Sequence, residues 1–208
     1  EFRRVLFRST ATDADPDAAF PIAAVPDDLA AFSPYFSKHT SAFHVNIFAT
    51  ESVPNTDVKH CARVIAQYLD NDEDGAADDP SVIAALQARG GAGMVMFGSE
   101  DEIERSGIFE SDLPDHMRLQ DLFAAETFPE GSEAAGQFDA TLEEVLHLLQ
   151  SAGISEVYQD GLGISADSQL AAAMDLARGG HFDSVPTSYP EAAWYHYDDA
   201  SCDYECML

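Results

Sequence analysis

The sequence predicts an α+β fold. Three observations carry that expectation. Strand-like stretches lie early, at 43–49 and 94–97. The strongest amphipathic helix comes late, after Asp139. The chain then runs into a loop-rich C-terminal tail from His181. At 208 residues it is long enough for one domain with a real core.

Residues 1–9 hold three of the ten basic residues and match nothing in the acidic remainder. They read as a cloning or sequencing scar. Residues 10–30, rich in Ala, Asp and Pro, read as a flexible leader. Residues 31–208 read as a single α+β domain, truncated at its C-terminus. The stretch 43–49 alternates apolar and polar residues, as a strand does. Asn55 is placed to cap a helix over 56–69, with Val58, Cys61, Ile65 and Tyr68 as its apolar stripe. Pro80 suits the first turn of a second helix, and Gly90-Gly91 ends it near Arg89.

Residues 94–97 make a short, fully apolar strand, and 100–106 a short helix. The stretch 119–128 is ambiguous and reads as a strand or irregular edge, most plainly over 122–128, ending at Pro129. A glycine-containing loop follows at 130–137. Asp139 can cap the next helix, which runs to Ala152 with Gly153 as its stop. Leu142, Val145, Leu146 and Leu149 form its stripe. A last helix at 166–178 is stopped by Gly179-Gly180.

Charge narrows the function. Thirty-eight acidic residues face ten basic ones, a formal net charge of −28. Nucleic acid and anionic membranes both need Lys and Arg, so neither is an expected partner. Cation binding, or a surface adapted to a salty medium, fits better. No apolar run is long enough for a transmembrane helix, so membrane insertion is not expected. The cysteines are Cys61, Cys202 and Cys206. The pair near the C-terminus points to an extracellular location, with a partner for the odd cysteine beyond residue 208.

Asp70-Asn71-Asp72-Glu73-Asp74-Gly75-Ala76-Ala77-Asp78-Asp79 is the most specific motif. It resembles the first nine positions of an EF-hand-type calcium loop, and equally the Asp-rich core of thrombospondin- and dockerin-type loops. That resemblance assigns Ca2+ ligands to Asp70, Asp72, Asp74, the carbonyl of Ala76, and Asp78. Ser81 stands where the loop's closing Glu belongs, and Asp79 is the substitute. The ion would clamp the 56–69 and 80–89 helices. An acidic surface turn is the competing reading, because Asp, Asn and Gly favour turns.

Glu143-Glu144-Val145-Leu146-His147 is one substitution from His-Glu-x-x-His. Residues at i and i+4 share a helix face, so Glu143 and His147 can reach one ion. The segment resembles the active-site helix of zincin-type metallopeptidases. The resemblance implies a zincin-like fold, a small sheet packed on helices. It implies metal ligands at Glu143 and His147, with Glu144 as general base. Glu in place of His makes Mn2+ or Fe2+ plausible beside Zn2+. His196 is the candidate third ligand, with His181, Asp198 and Asp199 as alternatives. Glu144-x-x-His147 also matches one ligand pair of a di-iron bundle, but that fold needs two such pairs on long helices. The plainest reading makes Glu143 and Glu144 first-turn charges favoured by the helix dipole.

Trp194-Tyr195-His196-Tyr197-Asp198-Asp199, followed by Cys202 and Cys206, is dense in aromatic and ligand-type residues. It reads as a disulfide-pinned loop, a source of the third ligand, or an aromatic loop on the core. Two function classes follow. One is a metal-dependent peptide hydrolase, or a catalytically weakened relative, acting on peptides or proteins and carrying a structural calcium. The other is a non-enzymatic calcium-binding extracellular module.

Overall fold

A computed structural model describes residues 19–194 and 196, apart from 112, 115 and 183. Strands β1 (Lys38–Ala42) and β2 (Val45–Ala49) form an antiparallel hairpin in which Ala42 faces Val45. The turn is Phe43 and His44, with φ of 46° and 68°. Positive φ at both central residues is what a type I′ turn requires. Neither residue is Gly or Asn, so the turn leaves no signature, and the strand expected at 43–49 is really a turn plus β2.

Helix α1 (Asn55–Leu69) buries Val58, Cys61 and Ile65, while Tyr68 stays 43 % exposed at the rim. Asn55 is helical rather than capping. Helix α2 (Pro80–Gln87) begins on its proline, and the Asp79 side chain accepts from the Ser81 amide at 2.9 Å. Strand β3 (Ala92–Phe97) lies parallel to β2 on one side and to β4 on the other, and all six residues are buried. A parallel strand covered on both faces needs a continuous apolar run. Helix α3 (Glu100–Ser106) follows, ending at Gly107 in the left-handed region.

Strand β4 (Arg118–Phe123) closes the sheet, whose order is β1-β2-β3-β4. It is an edge strand that begins one residue before the ambiguous stretch 119–128 and ends at Phe123, passing into a 3-10 turn at Ala124–Glu126. Short helix α4 (Ser132–Ala135) occupies the expected loop. Helix α5 (Thr141–Leu149) runs on without a break into a π turn, Gln150–Ile154, and then α6 (Ser155–Val157). Gly153 therefore does not stop the helix. A Cβ there would stand 2.9 Å from Leu86 Cγ and 3.0 Å from Val82 Cγ1, so the glycine permits close approach to α2. Val145, Leu148 and Leu149 face the core, whereas Leu142, expected in the stripe, is 42 % exposed. Helix α7 (Gln159–Leu162) precedes α8 (Gln169–Arg178), which is capped by Ser168 and terminated by Gly179.

The mixed four-stranded sheet is buried on both faces. Val45, Ile47, Met94, Met96 and Leu122 meet α1, α2 and α5 on one side. Phe48, Val95 and Phe97 meet Phe32, Phe36 and Ile103 on the other. Residues 19–30, read from sequence as leader, contribute here. Ala23 bridges to His39, and the 3-10 helix Asp27–Phe32 delivers Phe32, whose ring stacks on Phe48 at 4.1 Å. Such pairs add about 0.5–1.5 kcal/mol beyond area burial. The architecture is α+β, with the acidic loop between α1 and α2 and the Glu-Glu-x-x-His segment on α5 beside β4.

Candidate functional site

The acidic loop starts where α1 stops. Asp70 is buried and closes the loop on itself: its Oδ1 accepts from the Asp74 amide at 3.1 Å and its Oδ2 from the Gly75 amide at 2.9 Å. Gly75 sits at φ 89°, the turn for which the glycine was needed. Asp78 Oδ2 accepts from the Asn71 amide at 2.9 Å, drawing the far end back. The result brings ligand oxygens of Asp70, Asp72 and Asp78 within 4.8 Å of one another. Oxygens bound to one calcium at about 2.4 Å can be no further apart than about 4.8 Å. The donor set is all hard oxygen, of the kind that could hold a hard metal cation. The charge of Asp74 first, with Asp78 and Asp70 adding to it, pushes the Asp72 carboxyl above its usual range.

Two of the loop's expected ligands do other work. Asp74 Oδ1 accepts from the Ala76 amide at 2.8 Å, and Asp74 is not in the converging set. Asp79, the expected substitute for the closing ligand, caps α2 and accepts from the Tyr158 hydroxyl. Those two bonds hold the Asp79 carboxyl below its usual range.

On α5, Glu143 is exposed, Glu144 is half-buried and His147 is largely buried. His147 Nδ1 lies 3.4 Å from Glu144 Oε2, and the same oxygen accepts from Gln120 Nε2 of β4 at 2.6 Å. The hydrogen bond to Glu144 raises the imidazole's pKa, against the opposing effect of burial. His147 Nε2 is buried and has no hydrogen-bond partner among the described residues. Burial, with the charge of Glu144 adding to it, raises the carboxyls of Asp121 and Glu126 nearby.

The expected third ligand is elsewhere. His196 stacks on Tyr189, ring centroids 4.8 Å apart and 4° from parallel. His181 Nδ1 lies 3.1 Å from Asp175 Oδ2 at the end of α8. Asp198, Asp199, Tyr195, Tyr197, Cys202 and Cys206 lie outside the described residues. Among the described residues, Asp70, Asp72 and Asp78 are the only set of three His, Cys, Asp or Glu side chains whose ligand atoms converge. Glu143 and His147 are therefore not joined there by a third.

No family model, curated protein or solved structure matches this chain. The geometry alone carries the reading.

Sequence reasoning missed two positioning contacts. Gln120 holds Glu144 from 24 residues away, and His60 Nε2 lies 2.7 Å from Asp139 Oδ2 across 79 residues. Contacts of that span leave no periodicity or spacing to read. Gln120 had one available sign, a polar side chain inside an otherwise strand-like stretch.

Proposed function

We propose that this protein binds one calcium ion in the loop 70–78 and that the ion joins α1 to α2. The convergence of the Asp70, Asp72 and Asp78 carboxylates carries the reading. Like charges held this close repel, and a divalent cation reverses the sign of that interaction. Asp70 anchors the loop through backbone amides and keeps lone pairs free for an ion. The ion would be structural, because the loop is tied to both flanking helices: Asp78 donates its amide to the Leu69 carbonyl, and Asp79 caps α2.

Calorimetric titration and thermal melting test this. At calcium a hundredfold above its dissociation constant, about 2.7 kcal/mol of stabilisation is expected. For a chain of this size that is about 5–10 °C in melting temperature. Chelation should reverse it, magnesium should reproduce little of it, and Asp72→Asn with Asp78→Asn should remove it. A melting temperature indifferent to millimolar calcium would overturn the proposal.

One observation favours a second activity, metal-dependent peptide hydrolysis. A buried imidazole nitrogen without a partner loses about 1–3 kcal/mol of solvation. A metal ion on His147 Nε2 would recover it, with Glu143 as the other protein ligand. The metal would supply Lewis acidity toward a peptide carbonyl. Glu144 is the proton acceptor of this chain, and Gln120 fixes its carboxylate against the sheet edge. Elemental analysis decides: about one zinc, manganese or iron per chain, lost in His147→Ala, supports this reading. Calcium alone, with His147→Ala silent in metal content and in casein hydrolysis, would remove it.

A further inference from the structure

Helix α8 is apolar on two faces. Its inner face buries Ala171 and Met174, and its two charged residues, Asp175 and Arg178, pair with each other at 2.6 Å. The outward residues Ala172, Ala173 and Leu176 are exposed, Leu176 at 81 %. A helix that is apolar all round belongs in a covered setting, yet this one is open on one side.

Trp194 stands beside it, 89 % exposed, and its amide donates to the Ala177 carbonyl at 2.7 Å. Ala172, Ala173, Leu176, Ala177, Ala192 and Trp194 line a groove of about 880 Å3. One exposed leucine needs no explanation, but large apolar side chains gathered round a groove mark an interaction surface. Neither the acidic loop nor the Glu144–His147 pair uses it.

Charge selects the occupant. Residues 119–208 hold seventeen Asp and Glu but a single Lys or Arg. That one is Arg178, which is buried. This stretch builds α7, α8 and the groove, and it puts no Lys or Arg on the surface. Glu191, next to Ala192 on the lining, is exposed. A second copy of the chain brings another net charge of −28 and is repelled, as is an anionic membrane. Residues 197–208 are acidic too, with four Asp and Glu and no Lys or Arg. A cationic partner with an apolar ridge satisfies both the groove and the field around it. α8 has ten residues, about 15 Å, which accommodates the two turns of a helix whose apolar anchors fall at i, i+3, i+4 and i+7. We propose that the α8–Trp194 groove docks a basic amphipathic helix of a partner protein. Its apolar stripe would lie against Leu176 and Trp194, with its Lys and Arg facing the acidic surround.

Trp194 is the chain's only tryptophan, so its fluorescence reports on this groove. The probe is a synthetic helical peptide of Leu and Lys with its leucines on one face. One control replaces every Lys with Glu. The other keeps the composition but spreads the leucines round the helix. The amphipathic Leu–Lys peptide should give a saturable blue shift of Trp194 emission. In Leu176→Asp its affinity should fall about tenfold or more. That substitution adds a negative charge, so attraction by charge alone predicts equal or tighter binding instead. The proposal is overturned by the absence of a saturable shift, by either control peptide binding as well, or by unweakened binding to Leu176→Asp. Emission already blue in the free chain would overturn it by showing that the chain covers its own groove. A dimer in sedimentation that dissociates in Leu176→Asp would overturn it by making a second copy the occupant.

Discussion

Asp139 satisfies three groups with one buried carboxylate. Its Oδ1 accepts from the Phe128 and Thr141 amides, each at 3.2 Å, and its Oδ2 pairs with His60. Burial would raise this carboxyl, but the His60 hydrogen bond leads the contacts that hold it below its usual 3.8. A depressed carboxylate contributes stability above its unfolded pKa and loses it as pH falls through the folded one. Asp139→Ala strands buried donors and should cost about 3 kcal/mol in urea denaturation at neutral pH. Asp139→Asn keeps an acceptor and should cost about 1 kcal/mol. The gap between wild type and Asp139→Asn should close below the depressed pKa; a gap independent of pH would refute the charge argument. The sequence expected Asp139 to be the cap of α5; the cap position is Ala140, and Asp139 sits one residue before it, still accepting from the Thr141 amide. The sequence gave no sign of His60, which only the fold brings there.

Local rules read the elements well where one rule dominated. Pro80 starts α2, Gly179 ends α8, and the apolar run at 94–97 is the central strand. They failed where tertiary packing overrode them. Phe43 and His44 turn a hairpin without turn residues, because the pairing of β1 with β2 holds them in the left-handed region. Gly153 reads as a helix stop but serves packing. Helix propensity alone predicts that Gly153→Ala would gain up to about 1 kcal/mol. Contact with Leu86 and Val82 at 2.9 and 3.0 Å predicts a loss of about 1–3 kcal/mol instead. Chemical denaturation distinguishes the two by sign.

The whole molecule folds under self-repulsion. A net charge of −28 on 208 residues opposes compaction. Salt shortens the screening length from about 10 Å at 0.1 M to about 3 Å at 1 M. Sodium chloride should therefore raise the melting temperature steadily to 1 M, with chelator present to exclude calcium. A flat or falling response would mean that surface repulsion is not what limits stability. No helix among the described residues is long and apolar enough to cross a membrane.

By itself the sequence determined the α+β class, most helices and the central strand, and the acidic loop, because each depends on composition or on neighbours within a turn or two. Tertiary structure alone decided which carboxylates converge. It drew Asp78 in, gave Asp79 to α2 and Tyr158, and left Glu143 and His147 without a third ligand among the described residues. A shared helix face places two side chains near one another. Bringing a third depends on how separate elements pack, and no spacing along the chain encodes that.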